Sequence, residues 1–213
     1  MLIPREAFVG IIEQLSVRTN SLLQVGAHQA EEHELWQSLG FKQIDYVEPI
    51  PHLAEMLKER FLLEDQTRIW PFVITTFSGE TQFFLDSPTY ISGIKSLTGE
   101  TKLKNPDFKE DSLTILPCMT LSNLLSQLEG EPEMIVIDVQ GAEREVIESG
   151  VSDIHTPIIV VELLYKQLYD NQTSAEEIKC LMGVLGYTLR IEYFDQSRYW
   201  SDALFMRNDL CNE

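Results

Sequence analysis

Ser21-Leu22-Leu23-Gln24-Val25-Gly26-Ala27-His28 is an apolar strand that breaks into a glycine turn. Ile44-Asp45-Tyr46-Val47-Glu48-Pro49 is a second strand, and it ends on an acid. Glycine lets backbone approach a ligand closely, and an acid about 20 residues further on can accept both hydroxyls of a ribose. The pair points to a nucleoside cofactor in a doubly wound α/β fold.

The same alternation continues outward from these strands. Phe8, Ile11, Ile12 and Leu15 recur at helical spacing after Pro4, which predicts an N-terminal helix within residues 1–18. Helices are expected over 31–39, with Gly40 as its stop, and from Pro51 through Phe61. A third strand is expected at 68–75, its Pro71 favouring an edge position. A short strand is expected at 81–85. Residues 87–111 are rich in Ser, Thr, Gly, Pro and Lys and read as a long loop, of the kind that often serves as a lid. Thr120 can cap a helix through Leu128.

Met134-Ile135-Val136-Ile137-Asp138 and Pro157-Ile158-Ile159-Val160-Val161-Glu162 are near-continuous apolar runs with acidic tips. Such runs mark strands buried on both faces, as in parallel sheets. Ser174-Ala175-Glu176-Glu177 is a capping box opening a helix that Gly186 closes, and 187–193 with 203–206 read as a closing strand pair. The order predicts a mostly parallel sheet with helices on both faces.

The chain has 213 residues, 16 basic and 34 acidic, for a net charge of −18. That balance argues against a protein that tracks phosphates, since nucleic-acid binding needs clustered Lys and Arg. No basic amphipathic helix for a membrane surface is present, and the longest apolar runs have strand length. Cys118, Cys180 and Cys211 are widely spaced and odd in number, which fits a reducing compartment and no structural zinc. Without a leader pattern at the start, a cytoplasmic location is the expectation.

Four groups carry the chemistry. Gly26 with Ala27 and His28 forms one turn with a single glycine, where a dinucleotide fingerprint has three. Glu48 stands at a strand tip facing the ligand crevice. Asp138 can hold a cofactor ammonium, a metal or a substrate hydroxyl, or simply cap the following helix. Glu162, on the next strand tip, would converge on the same crevice, and the two acids together can bind a divalent cation or deprotonate a hydroxyl.

Taken together, Leu23 to Glu32, Tyr46 to Pro49, Thr120-Leu121, Ile137-Asp138-Val139-Gln140-Gly141-Ala142-Glu143 and Ile159 to Glu162 resemble the FkbM family of S-adenosylmethionine-dependent methyltransferases. The Asp-x-x-Gly-Ala-Glu segment is the most specific piece. The resemblance implies a Rossmann-like class I methyltransferase with a seven-stranded sheet whose last strand is antiparallel. It implies that Gln24, Gly26, Ala27 and His28 cradle the methionine part of the cofactor, that Glu48 and Pro49 lie at the ribose, and that residues around Thr75 to Ser78, Thr76 among them, lie near the adenine. Asp138 would face the methionine end and the acceptor. The implied reaction is O-methylation of a small molecule such as a sugar or natural product, with Asp138 first and Glu162 second at the acceptor hydroxyl. Segment 87–111, with Lys95, Ser96, Lys102 and Lys104, would be the acceptor lid and would attract an anionic acceptor. Two positions depart from the family pattern: Gln24 replaces an acid and Ala30 a glycine. The competing readings are an NAD-dependent oxidoreductase and a nucleoside-binding module without turnover.

Overall fold

The computed structural model describes residues 1–15, 17–87, 89–105, 107 and 109–210. Cys211, and Pro88, Pro106 and Phe108 of the expected loop, lie outside the described residues. A helix α1 (Arg5–Leu15) leads into β1 (Ser21–Val25), α2 (His33–Ser38), β2 (Gln43–Val47), α3 (Pro51–Arg60) and β3 (Thr67–Trp70). Next come β4 (Val73–Ile74), β5 (Gly79–Ser87), α4 (Gly99–Lys104), β6 (Lys109–Met119) and α5 (Leu121–Leu125). The chain closes with β7 (Met134–Ile137), α6 (Glu143–Glu148), β8 (Ile158–Leu164), α7 (Ala175–Val184), β9 (Tyr187–Phe194) and β10 (Trp200–Arg207).

Seven strands form one sheet in the order β3-β2-β1-β7-β8-β10-β9. β10 runs antiparallel to both its neighbours, and the other pairings are parallel. The chain builds outward from β1 to β3 and returns to β7 on the other side of β1. The strand order therefore reverses between β1 and β7, and in open α/β sheets ligands bind at the carboxyl ends of strands beside such a point.

Alternate residues of each central strand face opposite layers. Leu22, Ile44 and Val136 pack with Phe8 and Ile11 of α1, Trp36 of α2 and Leu57 of α3. Leu23, Ile135 and Val161 pack with Leu121 and Leu124 of α5, Val146 and Ile147 of α6, and Ile178 and Met182 of α7. Full burial of one such side chain contributes about 1.5–3 kcal/mol, so the two layers supply most of the driving force. The expected caps are present: Thr120 accepts from the Asn123 amide, and Ser174 and Glu177 form a reciprocal capping box.

Three expectations are corrected. The strand expected at 68–75 is two strands: Pro71 ends β3 at the sheet edge, and β4 joins a second sheet of order β4-β6-β5. The short strand at 81–85 is the nine-residue β5. The supposed loop 87–111 contains a 3-10 turn (Thr89–Ile91), the helix α4 and the start of β6, an eleven-residue strand absent from the sequence reading. β6 exposes Leu113 and Ile115 while burying Leu116 and Cys118, so its apolar pattern does not mark one buried face.

Candidate functional site

The ends of β1, β2, β7 and β8 open into a cleft of about 560 Å³. β1 stops because the backbone turns to φ +86° at Gly26, where a Cβ would lie 1.7 Å from the carbonyl oxygen of Asp138. The glycine is thus required by the close approach of β7. The Gly26 and Ala27 amides both donate to the Val47 carbonyl, at 3.1 and 3.0 Å. His28 is left-handed, and its amide donates to Glu48 Oε2 at 2.8 Å, while the Ile50 amide donates to Glu48 Oε1 at 2.7 Å. Glu48, 3% exposed, therefore ties the two loops together while keeping free lone pairs toward the cleft. Burial pushes its carboxyl up to about 7, against the two amides, which favour the anion.

Asp138 and Glu162 stand abreast, one residue past the register pair Ile137 and Val161 on β7 and β8. Asp202 of β10 lies opposite Glu162. Three acids thus form a row across three strands. The Gln140 amide nitrogen donates to Asp138 Oδ1 at 2.6 Å and to Glu162 Oε2 at 3.3 Å. The Tyr169 hydroxyl in turn donates to the Gln140 carbonyl oxygen at 2.6 Å. Desolvation, then the charge of Asp202, pushes Asp138 up to about 6. Glu162 is held well above the carboxylate range by burial first and by Asp138 next. Burial and mutual repulsion thus favour a proton within the row.

The turn that carries Gln140 is held from below. Glu143 Oε1 accepts from the Val139 and Gly141 amides at 3.2 and 3.0 Å. Gly141 has φ +93° and lies against the Tyr169 ring, 2.9 Å from where its Cβ would be. Gln140 itself has φ +57°, which for a residue with a side chain costs about 1–2 kcal/mol. Strain of this kind gathers where a side chain must be aimed.

At the first strand tip and in the loop the structure departs from expectation in part. Gln24 lines the cleft, but its carbonyl accepts from Trp36 Nε1 at 2.9 Å and its amide donates to Glu32 Oε2 at 3.3 Å. Glu32, which also lines the cleft, carries a negative charge beside the neutral Gln24, and the Met1 ammonium pairs with it at 2.9 Å. Gly26, Ala27, His28, Glu48 and Pro49 all line the cleft. Thr76 does not: it is exposed, and Phe72, Val73 and Ile74 form that wall instead. The lysines expected to attract an anion are otherwise engaged. Lys95 is buried, its Nζ 2.8 Å from Glu145 and 2.9 Å from the Asn171 carbonyl, and Lys104 pairs with Glu100. Segment 89–105 is fastened by the Leu97–Tyr169 bridge, by Thr98 N–H to the Leu168 carbonyl at 2.9 Å and by Ser96 Oγ to Asp170 at 2.7 Å. Among the described residues no group of three or more His, Cys, Asp or Glu side chains is arranged to hold a metal ion.

The sequence reading missed Asp202, Gln140 and Tyr169. Asp202 carried a signal, being an acid inside the otherwise apolar run of β10. The other two are recognisable only by what they touch.

The family model described as the methyltransferase FkbM domain matches residues 24–189. This chain belongs to the FkbM methyltransferase family. A solved FkbM methyltransferase from Methylobacillus flagellatus KT superimposes with a TM-score of 0.58 at 10% identity, over 88% of this chain and 43% of that one. The present chain therefore spans less than half the length of that relative. Magnesium protoporphyrin IX methyltransferase from Synechocystis PCC 6803, with bound SAH, has a TM-score of 0.53 at 9% identity, covering 95% of this chain and 81% of its own. TrmK of M. capricolum, in complex with S-adenosyl-homocysteine, has a TM-score of 0.51 at 10% identity, covering 98% and 70%. At these identities the likeness is one of fold: a mostly parallel seven-stranded sheet with antiparallel final pairings, as in class I methyltransferases. No curated protein matches the FkbM chain described here. None of its helices, among the described residues, is long and apolar enough to cross a membrane.

Proposed function

We propose that this chain is an S-adenosylmethionine-dependent methyltransferase that methylates a hydroxyl oxygen of a small molecule. The observation that carries the reading is one cleft holding both a buried strand-tip acid, Glu48, and the Asp138–Glu162 row, on opposite sides of the switch point. The residues present suit the cofactor. Glu48 has lone pairs left for a ribose diol. Ile50, Phe72, Val73 and Ile74 offer flat apolar walls to an adenine. The Gly26 turn admits the methionine portion, and Asp138 faces its positive charge.

When bound, that cofactor supplies an electrophilic methyl group on a sulfonium. The protein's own work is alignment and proton handling. Asp138, pushed up to about 6, is ionised at neutral pH and still basic enough to accept a hydroxyl proton. Glu162, which burial and the neighbouring Asp138 hold well above the carboxylate range, favours its protonated form and can donate a hydrogen bond within the row. Gln140 aims both carboxyls. Segment 89–105 covers this end of the cleft as the acceptor lid. The acidic balance of the chain supports a small-molecule acceptor over a nucleic acid.

Calorimetric titration with S-adenosylhomocysteine, with NAD in parallel, tests the reading. Saturable binding of the first alone is expected. Preference for NAD, or binding of neither, would overturn it.

A further inference from the structure

One small hydrophobic cluster stands apart from the two main layers, at the end of β8 and β10. Ile91, Leu97, Leu164 and Tyr169 form it, with Leu168 and Trp200 packed against them. All six line the cleft. Leu164 follows Glu162 by two residues on β8, so both side chains leave the same face of the strand. Trp200 lies opposite Leu164 in the β10 register. The cluster therefore stands directly beyond the acids, where an acceptor must place its hydroxyl.

The charge around it is one-sided. Glu31, Glu32, Glu48, Asp138 and Glu162 line the cleft, and Lys166 is the one lysine or arginine among its described lining residues. The Lys166 ammonium sits over the Tyr199 ring, 4.2 Å from its centre. Lys95, the lid's buried lysine, points away to Glu145 and the Asn171 carbonyl. Glu32 is already paired with the Met1 ammonium at 2.9 Å and burial favours the neutral form of Glu162, so an anion entering this space meets chiefly the Asp138 carboxylate, with Lys166 the one lining lysine or arginine to offset it, which selects against it.

Resting on the methyltransferase reading above, we infer that the acceptor is an uncharged alcohol or phenol with an apolar body. Its hydroxyl reaches the Asp138–Glu162 row while its body packs under Ile91 and Leu97 and against Leu164, Leu168 and Trp200. Phosphorylated and carboxylated molecules are poor acceptors, and so is a bare sugar, which has no apolar body to set against the cluster and would cover its side chains with hydroxyls.

The test uses the full chain saturated with S-adenosylhomocysteine. Three probes are titrated by calorimetry: 2-naphthol, glucose and glucose 6-phosphate. The expected result is binding of 2-naphthol at least tenfold tighter than either sugar. Leu168→Gln, at the half-buried rim of the cluster, should weaken 2-naphthol on the order of tenfold, from lost apolar contact. Its affinity for S-adenosylhomocysteine should stay within twofold, which also reports that the variant is folded. Equal or tighter binding of glucose 6-phosphate would overturn the inference, as would 2-naphthol binding that Leu168→Gln leaves unchanged. If S-adenosylhomocysteine itself does not bind, the methyltransferase reading has failed, and that outcome is separate from a loaded protein that rejects 2-naphthol.

Discussion

Gly26→Ala is the sharpest perturbation the fold offers. The new Cβ would lie 1.7 Å from the Asp138 carbonyl oxygen, where real Cβ atoms keep at least 3.0 Å, so the two backbones must part by about 1.3 Å (from 1.7 to 3.0 Å). The φ of +86° adds about 1–2 kcal/mol for any side-chain-bearing residue. The Asp138 amide donates to the Val25 carbonyl at 3.0 Å across the same gap, and losing that bond costs about 1 kcal/mol. With local repacking, the expected destabilisation is about 3–4 kcal/mol, within the total stability of about 5–15 kcal/mol typical of a domain. The variant should therefore fold but with Asp138 misplaced by about 1 Å, enough to lower turnover roughly 100-fold. Urea unfolding gives the first number and a methyl-transfer assay the second. Gly10→Ala is the control: it lies inside α1 with nothing within 4 Å of an added Cβ, and should stabilise by about 0.5–1 kcal/mol. A Gly26→Ala protein within about 1 kcal/mol of the parent and equally active would refute the reasoning.

Turnover should rise with pH through about 6 as Asp138 ionises, and Gln140→Met should move that midpoint upward, because the amide it removes favours the Asp138 anion; an unmoved midpoint in the pH–rate profile would count against Gln140 as a positioning residue. Glu143→Gln keeps the Oε1 that accepts from Val139 and Gly141 but removes a carboxyl pushed from 4.5 up to about 7 by burial. An acid with a raised folded value binds its proton more tightly when folded, so its presence lowers stability as pH rises from 4.5 to 7 and the full loss persists above. The variant should gain about 3 kcal/mol at pH 8 and nothing at pH 4, read from urea midpoints. Lys95→Met leaves Glu145 without its 2.8 Å partner and should cost about 1–3 kcal/mol. The same variant should expose segment 89–105 to proteolysis; cleavage at the parent rate would show that Lys95 does not fasten it.

Much of this was legible from local pattern. The apolar runs through Val25, Ile137 and Val161 are strands because a strand buried on both faces needs no alternation, and Asp138 follows β7 directly at the crevice, whereas β8 continues past the expected tip at Glu162 to Leu164. Gly26, Glu48, Asp138 and Glu162 were all visible as residues whose chemistry exceeds what a plain turn or strand end requires. The small sheet was not visible. β6 alternates polar and apolar residues with the apolar set divided between both faces, and Pro71 hid a change of sheet inside what looks like one strand. The anion-attracting lysines failed for a related reason: a sequence shows a charge but not the partner that absorbs it.

By itself, the order of residues determined the element types, the parallel sheet and the identity of the acids at the strand ends, because periodicity, caps and turn chemistry act over a few neighbouring positions. Only the tertiary structure decided which of those acids meet. Asp202 is 40 residues from Glu162 in the chain (202 − 162) yet directly opposite it, because β10 inserts antiparallel beside β8. Gln140 and Tyr169 acquire a purpose only once the turn after β7 lies against the segment after β8. The same packing gathers Ile91, Leu97, Leu164 and Trp200 into one wall above the acids. Ionisation, aim and acceptor choice all depend on desolvation and on distances between remote segments, which no local pattern encodes.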